Sequence, residues 1–205
     1  VRERMEEADL LHYAGQFDGA ICGDDRYTRQ VLEACVPRLK AISKWGTGID
    51  SIDSAACKDL GIGLYRTLNA FTVPVADSVM GYLLAFARRT PWMDAAMKRG
   101  EWEKIPGMAL SEMTLGVVGV GNIGKMVTRR ARAFGMRVLG NDIVEVPPGF
   151  VQETGIEMMD LESLLAASDF VSVNCDLNPT SFHLMNAAAF ARMKPTGVVI
   201  NTARG

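Results

Sequence analysis

The chain has 205 residues, 48% of them apolar and 22% charged, with a formal net charge of −2. That length supports one large domain or two small ones with a real core. It offers no basic run or basic excess for a nucleic-acid face, and its apolar stretches stop well short of the ~18 residues a membrane span needs.

In chain order, short apolar runs alternate with helical segments, which predicts parallel sheets with crossover helices. Arg2 to Ala14 reads as a helix and Gly19 to Cys22 as a short buried strand. Thr28 caps a helix that runs to about Ala34. Leu39 to Ser43 is a second strand, Ser51 to Leu60 a helix stopped by Gly61, and Ile62 to Tyr65 a third strand. After a connector from Asn69 to Pro74, one long helix is predicted from Val75 to Lys98. Its early residues Val79, Met80, Leu83, Leu84 and Phe86 are apolar on more than one face. That predicts burial all round, either at a domain join and subunit interface or inside one domain. The alternation then resumes. Strands are predicted at Leu115 to Val120, Arg137 to Gly140, Phe170 to Val173 and Val198 to Ile200. Helices are predicted at Ile123 to Phe134, Leu161 to Ala166 and Ala187 to Met193.

Gly119-Val120-Gly121-Asn122-Ile123-Gly124 fits G-x-G-x-x-G, with a buried-strand pattern before it and an amphipathic helix after it. Gly119 permits the tight turn. Gly121 lets a pyrophosphate approach the backbone, and Gly124 lets helix and strand pack closely. The helix N-terminus offers N–H groups to the phosphates. The next strand ends at Asp142, about 20 residues beyond the glycines, where a carboxylate accepts from the adenosine ribose and repels a 2′-phosphate. This selects NAD over NADP. Cys22, Cys35, Cys57 and Cys175 have neither C-x-x-C nor metal-ligand spacing, so the expectation is reduced thiols, a cytoplasmic protein and no metal site.

Five segments together resemble the D-isomer-specific 2-hydroxyacid dehydrogenase family. They are Lys44-Trp45-Gly46-Thr47-Gly48-Ile49-Asp50 with Ile52-Asp53, Val75-Ala76-Asp77 with Arg88-Arg89 and Arg99 to Trp102, and Leu115 to Gly124 with Asp142. The others are Ser168 to Val173, and Met193-Lys194 with Asn201-Thr202-Ala203-Arg204-Gly205. The resemblance covers nearly the whole chain. It implies a Rossmann-type doubly wound NAD-binding domain over residues 74–205. Residues 1–73 would then be the leading part of a flavodoxin-like α/β substrate domain, both incomplete. The chain begins at Val1 rather than Met and stops inside the last motif, so it reads as a piece of a longer protein.

The resemblance further implies hydride transfer between NAD and C2 of a small 2-oxo or D-2-hydroxy acid, and the apolar helix from Val79 to Phe86 points to a homodimer. Arg204 would be the catalytic arginine, whose guanidinium fork matches a carboxylate and polarises the keto oxygen. The Gly46-Thr47-Gly48 loop would present backbone N–H groups to the substrate carboxylate. Lys44 would add charge for a second anionic group, as in 3-phosphoglycerate, unless it is simply solvated. Asn122, Ile123, Asn174 and Thr202 join the cofactor set.

The sequence departs from the family at Asn174 and Asp176, where His and Pro are frequent. The family's acid–base histidine and its partner glutamate fall beyond Arg204, and His12 and His183 match neither. The 205-residue chain alone is therefore expected to turn over little. The alternatives are a NAD-sensing, corepressor-like interaction protein on the same fold, and a formate dehydrogenase or homocysteine-related hydrolase. Asn201 to Gly205 argues against the hydrolase.

Overall fold

The computed structural model describes residues 4–204, so Arg2 of the expected first helix and Gly205 of the last motif lie outside the described residues. The chain divides into two compact units, residues 1–71 and 72–205.

The first unit holds helices α1 (Glu7–His12), α2 (Arg29–Cys35) and α3 (Ser54–Asp59) around strands β1 (Gly19–Cys22), β2 (Ala41–Lys44) and β3 (Gly63–Arg66). The strands form one parallel sheet in the order β1-β2-β3. Local chemistry sets the helix starts. The Thr28 hydroxyl accepts from Val31 N and donates to Glu7, and the Asp53 carboxylate accepts from Ala56 N at 2.8 Å. Each cap satisfies a backbone donor that the first turn leaves open. Leu10, Val31, Leu32, Cys35, Leu39, Ile42 and Cys57 fill the core of this unit.

The second unit opens with α4 (Thr72–Ala87) and α5 (Thr90–Lys98), which correct the single long helix expected from Val75 to Lys98. The break has a cause in Pro91. Its ring has no N–H and would collide with the carbonyl of Ala87, so the helix ends there. Arg89 turns into the left-handed region at φ 57°, and the Ala87 carbonyl accepts from Met108 N instead. At the other end Pro74 sits in the first turn of α4, where an N–H has no intrahelical partner in any case. The burial expected all round α4 is also corrected. Ala76, Val79, Met80, Leu83 and Ala87 pack into the core of this unit, while Tyr82 and Phe86 are exposed.

Strands β4 (Thr114–Val118), β5 (Arg137–Asn141), β6 (Glu157–Met158), β7 (Phe170–Val173) and β8 (Val198–Asn201) form a five-stranded parallel sheet ordered β6-β5-β4-β7-β8. Helix α6 (Asn122–Ala133) crosses from β4 to β5, and α8 (Leu161–Ala167) and α9 (Ala187–Arg192) complete the layers. This is the doubly wound order, with its reversal between β4 and β7, where ligands bind at the carboxyl ends of the strands. Helix α7 (Pro148–Thr154) and β6 have no counterpart in the sequence reading. Pro148 opens α7 at a position that needs no N–H, and Gly155 closes it at φ 63°.

No helix among the described residues is long and apolar enough to cross a membrane. Within the sheet, Gly116 lies under α8, and a Cβ there would stand 2.5 Å from both Leu164 Cδ2 and Ser168 Oγ. Gly116→Ala is expected to cost about 1–3 kcal/mol through overpacking. Urea unfolding reads this directly, and an unchanged midpoint would refute the contact.

Candidate functional site

The coenzyme motif sits at the carboxyl end of β4. Gly119 takes φ +86°, a conformation that side chains rarely adopt, and a Cβ on it would stand 2.7 Å from Cys175 N. A Cβ on Gly124 would stand 2.1 Å from the Gly119 carbonyl, so this glycine lets α6 meet the turn. Gly121 is the opposite case, with nothing within 4 Å of its would-be Cβ. The turn is therefore packed underneath and open on top, as a cradle for a pyrophosphate requires. Helix α6 begins at Asn122, which sets the positive end of its dipole at the turn.

A pocket of about 580 Å³ lies on this turn. Of the residues predicted from sequence, Gly119, Gly121, Asp142 and Asn174 line it. Asn122, Ile123 and Gly124 instead form the first turn of α6 behind it. Both oxygens of Asp142 hold backbone donors, Oδ2 from Val120 N at 2.7 Å and Oδ1 from Val144 N at 2.9 Å. A carboxylate has about four acceptor positions, so each oxygen keeps capacity for a ribose hydroxyl. The Asn174 amide donates to the Ser172 carbonyl and accepts from the Ser172 hydroxyl, both at 3.1 Å. The frequent histidine of this position is thus replaced by a side chain locked onto its own strand.

Several lining residues escaped the sequence reading. Lys125 brings a cation to the pocket, one turn into α6, while its ammonium stands 5.8 Å from the Phe150 ring. Ile143, Val144 and Val146 give an apolar wall after β5, and Cys175, Asp176, Asn178, Thr180 and Ser181 form the wall after β7. In that wall Asn178 Oδ1 accepts from Thr180 N, Thr180 Oγ1 and Ser181 N, which fixes the turn. Burial pushes the Cys175 thiol up from its ordinary value, against the lowering effect of a backbone hydrogen bond.

A second cavity of about 280 Å³ adjoins the first and holds Arg204, Asn201, Ala203 and His183. Cys175, Asp176, Ser181 and Leu184 line both. Asn201 builds the bend that carries Arg204: its Oδ1 accepts from Ala203 N and its Nδ2 donates to the Arg204 carbonyl, each at 2.9 Å. Thr202 Oγ1 is buried and meets no hydrogen-bond partner among the described residues. His183 stacks on Phe182 at 3.9 Å, and His12 lies in the other unit beside Tyr13.

Lys44, Gly46, Thr47 and Gly48 belong to the first unit. The loop follows β2, with Gly46 at φ +155° and the Gly46 carbonyl accepting from Thr67 N. Lys44 is neither the solvated lysine nor the outward-facing cation of the two sequence readings. It is 2% exposed, and its ammonium donates to the Gly23 carbonyl and to Asp24. The physical reason is an ion pair with a residue 20 positions away, which the sequence around Lys44 does not announce.

Residues 80–205 match the family described as D-isomer specific 2-hydroxyacid dehydrogenase, NAD binding domain. The chain is 34% identical to the D-3-phosphoglycerate dehydrogenase of Methanocaldococcus jannaschii, over 99% of this chain and 37% of that protein. It is also 34% identical to the hydroxypyruvate reductase of Thermotoga maritima, over 99% of this chain and 66% of that protein. The chain thus spans between about a third and two thirds of the length of these relatives. Among solved structures it resembles the Aquifex aeolicus D-lactate dehydrogenase complexed with NAD and lactic acid. The TM-score is 0.89 and the identity 28%, over 98% of this chain and 61% of that one.

Proposed function

This chain belongs to the D-isomer-specific 2-hydroxyacid dehydrogenase family, and we propose that its protein moves a hydride between NAD and C2 of a small D-2-hydroxy acid or 2-oxo acid. The observation that carries this reading is the shared wall of the two cavities. Gly119 to Gly121 would hold the coenzyme's phosphates, and Cys175 and Asp176 line both that pocket and the cavity that contains Arg204.

NAD, when bound, supplies or takes up the hydride. The chain's own residues bind and orient. Asp142 and the wall from Ile143 to Val146 hold the adenosine end, and the open face of Gly121 with the start of α6 holds the pyrophosphate. Arg204 grips the acid and draws charge onto its oxygen, and donors fixed in advance for a developing oxyanion are a large part of such catalysis. In the first unit, Gly46 N–H donates to the Lys44 carbonyl, which leaves the N–H groups of Thr47 and Gly48 as the ones this loop would offer an anion. We assign no proton transfer to His12 or His183. The relatives named above are dehydrogenases or reductases, and they lend no support to the interaction-protein alternative.

The test is NADH oxidation by the full-length protein with a panel of short 2-oxo acids, for the wild type and Arg204→Gln. The wild type is expected to turn over at least one acid, and R204Q to lose about 10²–10³-fold in kcat/KM with coenzyme affinity retained. Full activity in R204Q, or no turnover of any acid, would overturn the reading.

A cytoplasmic location fits the buried free thiols of Cys22, Cys35 and Cys57. We also propose a homodimer through the outer side of α4 and α5, where Tyr82, Phe86, Trp92 and Met97 are exposed and Phe86 meets Trp92 edge-on at 5.4 Å. Sedimentation velocity on the full-length protein should show a dimer that Phe86→Glu weakens. A wild-type monomer would refute it.

A further inference from the structure

The coenzyme pocket carries a charge imbalance. Three carboxylates line it, those of Asp142, Glu145 and Asp176, and among the described residues a single cation, Lys125. Into that lining the coenzyme brings a pyrophosphate, itself a dianion. The start of α6 answers it with only about half a positive charge, from the helix dipole. Asp142 is held by the Val120 and Val144 N–H groups, and Asp176 accepts from the Asn178 amide at 3.2 Å, so neither carboxylate is neutralised by a cation.

Lys125 stands where it can redress this. Its N–H donates to the Gly121 carbonyl at 2.9 Å, so it lies one helical turn beyond the glycine whose outer side is open. Side chains of a helix lean back toward its N-terminus, which for Lys125 is the glycine turn. The residue is half-buried, and among the described residues its ammonium makes no ion pair and no hydrogen bond. Its contact is the Phe150 ring, 5.8 Å from the centre, near the ~6 Å limit of such an attraction. The same ring takes Arg129 at 5.0 Å. Arg129 is held by Glu153 through two bonds and Arg130 by Asp77, so of these three α6 cations Lys125 is the one without an anion. A half-buried ammonium that shares a ring gains more from a phosphate oxygen, through a charge-assisted hydrogen bond.

We propose that Lys125 anchors the coenzyme: its ammonium leaves the Phe150 ring and binds the pyrophosphate at the Gly119 to Gly121 turn, offsetting the carboxylates of the pocket. This rests on the coenzyme seat and not on the identity of the acid.

The test separates the phosphates from the rest of the coenzyme. Titration calorimetry on the full-length protein compares ADP, which carries the diphosphate, with adenosine, which does not, for the wild type and Lys125→Met. K125M is expected to weaken ADP by about tenfold and adenosine by less than about twofold, with NADH following ADP. An unchanged ADP affinity in K125M overturns the proposal. So does an equal loss for ADP and adenosine, which marks a structural role. A loss of 2′-AMP affinity in place of ADP affinity puts the ammonium at the ribose and overturns it as well. Should K125M fail to fold by circular dichroism, Lys125→Gln removes the charge and keeps a polar head, and the same comparison decides. A wild type that binds neither ADP nor NADH removes the seat itself, and the proposal with it.

Discussion

The carboxylate of Asp142 accepts Val120 N with one oxygen and Val144 N with the other, tying the glycine turn after β4 to the loop after β5. Charge-assisted bonds from backbone donors are among the stronger polar contacts a protein makes. These two fix a segment that has few side chains to hold it. The Gly119 N–H adds a third tie, donating to the Asn141 carbonyl at 2.9 Å. One residue thus holds the shape of the glycine turn and lines the pocket beside it.

The position of that cradle follows from the strand order. In a sheet ordered β6-β5-β4-β7-β8, the chain leaves β4 toward one side and β7 toward the other, opening a crevice between their carboxyl ends. The turn at Gly119 to Gly121 and the wall at Asn174 to Asp176 border that crevice. Gly119 also explains why the two walls stand so close, since any side chain there would strike the Cys175 backbone. Arg204 comes off β8, the next strand along, which brings its cavity against the same wall.

Features that depend on near neighbours were legible in the sequence. The Thr28 cap, the strand from Phe170 to Val173, and the strand–glycine–helix unit around Gly119 appear in the structure at the places their local patterns indicate. Features that depend on distant partners were not. Lys44 is read wrongly without Asp24, and the pocket walls at Lys125 and Asn178 are visible only once β4 and β7 are adjacent. The break before α5 is an intermediate case. Pro91 stood in plain sight, and the steric cost at Ala87 decided the matter. Helix α7 was missed because it is short and begins in a proline pair, a composition that also describes a loop.

Everything functional above depends on a seat for an adenine dinucleotide that lacks a 2′-phosphate. Titration calorimetry of the chain with NADH and NADPH, beside Asp142→Ala, tests this most directly. The account predicts that NADH binds, that NADPH binds at least about tenfold more weakly, and that D142A loses NADH affinity while remaining folded. Equal affinity for the two coenzymes, or undiminished NADH binding by D142A, would contradict it.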